Sequence, residues 1–313
     1  MKRITFTLVI LVASLVYAAE AQALPFRTFV SIAGDDANDC TLKTPCRTFV
    51  GAVPKTEAGG EITAVDSGTY FGVVTINKAL TIQAAPGVYA VLAAAATLAS
   101  PVTVSAGAGD VVVLRNLYVS QMPAKKGKVP TKGIELKSAL ALHVESCIVT
   151  GFAEAGLFRA GSVDIPEIFL FVKDSIFREN GGAGVNIQRV TASIDHCRVE
   201  RNHDGVILQI FSKVTIRDSV VAGNPHIGLA AEGGASSTNV ENTVVTNNGT
   251  GISAGLGGFG GAKFYVSTTM IVGNQTGLDA SGGALGTMII SFGNNRLANN
   301  VTDGAFTSTI AQQ

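Results

Sequence analysis

The feature that most constrains this chain is a repeat. In Ile216–Asn224 a small residue, Ser219, is followed two residues later by Val221 and five residues later by Asn224; the pair Gly228-Leu229 comes soon after. The same order recurs. The anchors are Leu117, Cys147, Ser175, Cys197, Ser219, Thr243, Thr269 and Asn295. Two residues beyond them stand Val119, Val149, Phe177, Val199, Val221, Val245, Ile271 and Leu297. Five beyond stand Met122, Phe152, Asn180, Asn202, Asn224, Asn248, Asn274 and Asn300. Successive anchors are 22 to 30 residues apart, a period that indicates a solenoid or a propeller. Strands of two to four residues between tight turns are unstable singly. Stacked coil on coil, they form parallel sheets in which each backbone group pairs with the coil above and below.

Charges test this register. Two residues before the anchors lie Glu145, Lys173, Asp195, Arg217 and Glu241, whose signs alternate from coil to coil. After the anchors, Arg178 is placed on Glu200 and Glu179 on Arg201. Opposite charges on neighbouring strands stabilise, and like charges do not. Cysteines test it again. Cys147 and Cys197 anchor two coils with Ser175 between, so at about 4.8 Å per coil they stand about 9.6 Å apart. That exceeds the Cα reach of a disulfide, about 7 Å, and two free, buried thiols are expected.

The turn row Asn180, Asn202, Asn224, Asn248, Asn274 and Asn300, the glycine–aliphatic pairs after it and the opening Gly68-Thr-Tyr70 coil resemble the right-handed parallel β-helix group, the pectin-lyase-like superfamily. The likeness covers about residues 60–310. It implies an all-β fold: a right-handed parallel β-helix with three short strands per coil. It implies no single activity, because this fold carries lyases, hydrolases, esterases, adhesins and tailspikes.

The ends read differently. Residues 1–23 have the pattern of a signal peptide: Lys2 and Arg3, an apolar run from Ile4 to Ala19, and the small-x-small site Ala21-Gln22-Ala23. Residues 24–60 read as an N-terminal cap with a strand at Arg27–Ile32 and a short helix. Thr44 is the expected N-cap, Pro45 the first helical residue, and Phe49, Ala52 and Val53 the apolar face. Pro54 should bend or end that helix. Residues 61–313 form the β-helix, with one or two irregular coils over 85–113. Cys40 and Cys46 are expected to form a disulfide in an exported chain. The mature protein is expected in the periplasm or secreted, with no membrane span after cleavage. Net charge is zero, which argues against nucleic acid as a partner.

Chemistry is sparse. One residue before three successive anchors are Asp174, His196 and Asp218, a histidine between two carboxylates and the weak catalytic candidate of this chain. Ile194-Asp-His-Cys197 followed by Asp204-Gly205 resembles a run of the pectate lyases. Ser193 stands where that family usually has tryptophan, and no Arg-x-Pro-x-x-Arg segment follows. The Asn-Thr-Asp and Gly-His-Gly motifs of polygalacturonases and the Gln-Asp pair of pectin methylesterases do not occur. His143, His196, His203 and His226 lack zinc-like spacing. No metal or cofactor is expected, calcium entering only if the chain is a lyase.

Two surfaces invite partners. The insert Ser120–Lys132 carries Lys125, Lys126, Lys128 and Lys132, framed by Pro123 and Pro130, and suits an anionic polysaccharide or cell-surface glycan. The residues just after the anchors, Tyr118, Ile148, Ile176, Arg198, Val220, Val244, Met270 and Arg296, should face outward, yet most are apolar. Such a stripe is explained by strand propensity, or by cover from a loop, the C-terminal tail or a second subunit in a homo-oligomer. The reading favoured is an exported β-helix that binds a polysaccharide or a cell-surface partner without catalysis. The alternative is a polysaccharide lyase or glycoside hydrolase acting on uronic-acid-type glycans. A purely structural, fibre- or tailspike-like role rests on the stripe alone.

Overall fold

The structure is a computed structural model that describes residues 23–94, 99–121, 130–161, 166–234, 236–255, 261–282 and 286–311. The proposed signal peptide, save its last residue, lies outside them, as do Lys125, Lys126 and Lys128, residues 256–260 of the glycine-rich segment Gly255–Gly261 and residues 283–285 of the segment Ser281–Gly286. The described residues form a parallel solenoid of three sheets, with twelve, ten and nine strands. Every paired strand runs parallel to its neighbour one coil away.

One coil shows the plan. Val190–Asp195 lies in the first sheet, Arg198–Glu200 in the second and Asp204–Gln209 in the third. Each corner contains one residue with left-handed backbone: His196 (φ 52°), Arg201 (φ 54°) and Phe211 (φ 56°). Strands this short must turn within two or three residues, and a single left-handed residue re-aims the chain. Side chains with a β-carbon resist that conformation, but Asn, Asp and His tolerate it best. At the first corner the same position is filled by Asn116, Ser146, Asp174, His196, Asp218, Asn242 and Thr268, with φ between 44° and 55°.

The anchor follows that residue and points inward. Leu117, Cys147, Ser175, Cys197, Ser219, Thr243 and Thr269 are all buried. A polar group there needs partners, and the corner supplies them. Ser175, Ser219 and Thr243 donate to the backbone carbonyls of Lys173, Arg217 and Glu241 at 2.7–2.8 Å. Ser175 Oγ also accepts from the N–H of Cys147, and Ser219 Oγ from that of Cys197, each at 3.1 Å. Cys147 and Cys197 are unbridged and buried, two coils apart with Ser175 between.

The asparagine row is a buried ladder along the second corner. Asn202 donates its backbone N–H and its Nδ2 to Oδ1 of Asn224, at 3.0 and 3.3 Å. Asn224 does the same to Asn248. Glycines let this ladder approach the third sheet. A β-carbon on Gly228 would stand 2.7 Å from the carbonyl of Gly251 and 3.0 Å from Nδ2 of Asn248.

The charged row lies in register on the first sheet, running Arg115, Glu145, Lys173, Asp195, Arg217, Glu241. Two of its pairs close as salt bridges, Arg115–Glu145 at 2.7 Å and Arg217–Asp195 at 2.9 Å. Arg201 meets Glu179 at 2.8 Å. Arg178 is the strand partner of Glu200, but Glu200 is bridged instead by Arg198 of its own strand, at 2.8 Å.

The cap departs from expectation in its helix. The α-helix is Phe49–Ala52, N-capped by Thr48, whose hydroxyl accepts from the N–H of Gly51 at 3.0 Å. Thr44 instead hydrogen-bonds Asp39 and Thr41, and Cys46 is held straight by a backbone bridge to Val30. That bridge, with the Cys40–Cys46 disulfide, keeps the chain extended past Pro45, so no helix starts there. Pro54 converts the end into a single 3-10 turn, Val53–Lys55. Phe49 packs on Tyr70, with ring centroids 5.1 Å apart, and covers the first coil. Arg27–Val30 pairs with Glu61–Ala64 and is itself the first strand of the first sheet. Residues 85–113 make one coil's worth of strands, Ala90–Ala93, Val102–Ser105 and Val111–Arg115. The outward row is in register from Tyr118 to Arg296, but Arg198 stands between Ile176 and Val220, so the apolar stripe is interrupted there. The described part of the C-terminal segment lies elsewhere: Ser308–Thr309 pairs with Met288–Ser291 in the first sheet.

Candidate functional site

The Asp174, His196 and Asp218 row is brought to one corner, but not as a histidine clasped by those two carboxylates. His196 Nδ1 bonds Asp195, its own chain neighbour, at 2.8 Å. Asp174 points at Lys173, 3.9 Å away, and Asp218 accepts from Nδ2 of Asn242. Asp195, His196 and Asp218 lie close enough to share one ion; Asp174 is not part of that group. The Asp195 carboxyl is held below the usual carboxylate range by hydrogen bonds from Arg217 and then His196, against the opposing push of burial. What selects these residue types is visible in the backbone: all three occupy the left-handed corner position. The same geometry accounts for the Ile194-Asp-His-Cys197 run. Ile194 and Cys197 point into the core, and His196 turns the corner between them.

Lys132 lies in a better-formed place. A trough of about 510 Å³ opens on the outer face of the third sheet, lined among others by Thr75, Thr103, Ser105, Lys132, Glu135 and Lys137. Strand pairing builds its floor, because Thr75 sits beside Thr103 and Thr103 beside Glu135. The next residue in that row is Phe158. Lys132 stands 3.9 Å above its ring and bonds Glu135 at 3.1 Å, while Lys137 reaches the other oxygen of Glu135 at 3.5 Å. The trough thus offers hydroxyls, two ammonium groups and one carboxylate that both lysines share. Thr131 also lines it, so the lysine-bearing insert joins the trough in sequence.

Glu135, Lys137, Thr75, Thr103 and Ser105 were not legible as site residues. Each is an unremarkable polar residue at an outward strand position. Only the lateral register of three coils makes them one surface. The pairing of Lys132 with Glu135 at three residues' separation was readable as a charge pattern, without its place.

Comparison with known proteins agrees with this architecture. A family model described as the right handed beta helix region matches residues 132–302. No curated protein matches the chain. Among solved structures, XylC in complex with xylose is similar with a TM-score of 0.66 at 10% identity, over 91% of this chain and 72% of the other. The pectate lyase Pel9A gives 0.57 at 14% identity, over 91% and 78%. An alginate lyase from Paenibacillus gives 0.50 at 14% identity, over 90% and 97%. At such identities the likeness is one of fold.

Proposed function

The chain belongs to the right-handed β-helix family, and on that premise we propose that it is an exported protein that binds an anionic polysaccharide in the third-sheet trough without cleaving it. The observation that carries this reading is the lining of the trough. Thr75, Thr103, Ser105 and Thr131 present hydroxyl-bearing side chains along one face, and Lys132 and Lys137 flank it with positive charge. Such a surface suits a polyol bearing uronate carboxylates. Among the described residues Glu135 is the one carboxylate of the lining, and both lysines hold it. Glycoside hydrolysis uses two carboxyl groups roughly 5 to 9.5 Å apart, a pair this lining does not supply. Two structural neighbours are named for the polyuronates pectate and alginate, which supports the ligand class; a third is named with the neutral sugar xylose. The Cys40–Cys46 disulfide accords with an oxidising compartment, periplasmic or extracellular.

The test is a titration of polygalacturonate and alginate against the mature chain and against Lys132→Glu/Lys137→Glu. Binding to the parent and its loss in the charge-reversed variant are expected, with neutral glucans bound by neither. Equal polyuronate binding by both proteins removes the trough from the proposal.

A second reading has one observation in its favour. His196 is an exposed imidazole fixed through Nδ1 to a carboxylate held ionised by Arg217, an arrangement open to proton abstraction from a uronate. Under this reading the chain is a polysaccharide lyase, and calcium is its proposed cofactor. Ultraviolet absorbance of unsaturated product, appearing with calcium and lost in His196→Ala, separates it from the first.

A further inference from the structure

We propose that His203, Asp204 and His226 form a binding site for a first-row divalent transition-metal ion, of the zinc or nickel kind. The three residues stand at the second corner, where the asparagine ladder passes into the third sheet. His226 donates its backbone N–H to the carbonyl of His203 at 3.1 Å, so the two histidines occupy adjacent rungs. Asp204 opens the strand Asp204–Gln209, and its partner strand begins at Ile227, just after His226. The backbone ladder therefore brings the two imidazoles to one carboxylate.

Both rings aim at that carboxylate. Nδ1 of His226 lies 2.7 Å from one oxygen of Asp204, and Nδ1 of His203 lies 3.0 Å from the other. The rings stand 4.9 Å apart between centroids. A carboxylate only accepts, so each Nδ1 carries a hydrogen in this arrangement. A dication takes the place of these two hydrogens: two nitrogens and one oxygen become its ligands, and each neutral ring binds in its other tautomer, its one hydrogen exchanged through solvent from Nδ1 to Nε2. The ligand atoms all lie within 4.8 Å of one another; a tetrahedron with metal–nitrogen bonds of about 2.0 Å has an edge of about 3.3 Å, so the exposed rings draw in on the ion as it binds. Three protein ligands leave a further position for water. Two imidazoles with one carboxylate favour zinc, nickel or copper over calcium, which takes six or more oxygens.

The other cluster of this kind, Asp195 with His196 and Asp218, is less suited. Arg217 already neutralises Asp195, at 2.9 Å, and a dication would be placed beside a guanidinium. Asp204 pairs with no lysine or arginine among the described residues. The side chains of His203 and His226 are both more than half exposed, so an ion reaches them without rearrangement of the core.

The experiment uses the mature full chain without a polyhistidine tag, stripped with chelator and titrated calorimetrically with zinc, nickel and calcium. Saturable binding of one zinc or nickel ion per chain is expected, with weaker calcium binding. His203→Gln, His226→Gln and Asp204→Asn should each weaken the ion by at least about tenfold, while His143→Gln and His196→Gln leave it unchanged. Equal melting temperatures in chelator confirm that the variants fold. The proposal is overturned if no saturable binding occurs, if His203→Gln/His226→Gln binds like the parent, or if His196→Gln alone abolishes it.

Discussion

Asn300 donates both its backbone N–H and its Nδ2 to one oxygen of Asp303, at 3.1 and 2.8 Å. Asn274 donates to Oδ1 of Asn300 in the same way, both at 2.9 Å. The ladder therefore ends on a carboxylate. An asparagine at that place would present two further donors that need acceptors, whereas a carboxylate only accepts.

Position along this ladder should decide the cost of breaking it. Asn224→Ala removes the acceptor of the buried backbone N–H of Asn202 and of one Nδ2 hydrogen, the other remaining on the carbonyl of Phe177, and should cost about 3 kcal/mol in urea unfolding. Asp303→Ala should cost about 1 kcal/mol, because Asn300 is only partly buried and water replaces the lost acceptor. Equal losses at the two sites would mean that burial does not set the value.

The two anchor thiols should be inert in the folded chain. Burial pushes the Cys147 thiol up to about 12 and the Cys197 thiol up to about 11, and the thiolate is the reactive form. Mass spectrometry after iodoacetamide treatment should find neither modified in the native protein and both modified in urea. Modification of either without unfolding would contradict their burial.

Substitution at the first corner should follow backbone conformation rather than charge. His196→Val and Asp174→Val place a β-branched residue at φ near 50° and should destabilise by about 1–2 kcal/mol. His196→Asn and Asp174→Asn should be nearly neutral. Thr268, the β-branched member of this row, is held there by two hydrogen bonds with Asn294, which the valine variants lack. A loss of stability in His196→Asn as large as in His196→Val would mean that the imidazole itself supports the fold.

Asp195 should make part of the stability acid-sensitive. Its folded pKa lies below the ordinary value, chiefly through the hydrogen bond from Arg217. The stabilisation is therefore present above the unfolded carboxyl value of about 3.9. It is lost as pH falls through the folded value. Arg217→Gln should lower the urea midpoint at neutral pH and lose its effect in strong acid. A deficit that persists undiminished in acid would assign the effect to something other than this pair.

Much of the fold was legible because a solenoid writes its period into the chain. Ser219, Val221 and Asn224 recur since every coil meets the same neighbours, and the alternating charges of Asp195, Arg217 and Glu241 fixed the register to the residue. The helix start was misplaced because Thr44-Pro45 carries a valid local signal. A non-local strand bridge from Cys46 to Val30 overrides it, together with the short Cys40–Cys46 disulfide loop. The corner row was legible as Asp174, His196 and Asp218 but not for what it is, since the left-handed backbone that favours those residues leaves no separate mark.

Sites fared worse for a geometric reason. Metal-ligand spacing is ordinarily sought at separations of three to five residues, as on a helix or in a finger. In this fold the residues that touch are one coil apart, and His203 meets His226 through strand pairing. Sequence alone determined the period, the inward rows, the ladder of asparagines and the class of fold, because those depend on contacts repeated identically in every coil. Tertiary structure alone decided which side chains share a surface. Thr75, Thr103 and Glu135 become one trough, and His203, Asp204 and His226 one cluster, only when the turns between strands set how far each coil is offset from the next.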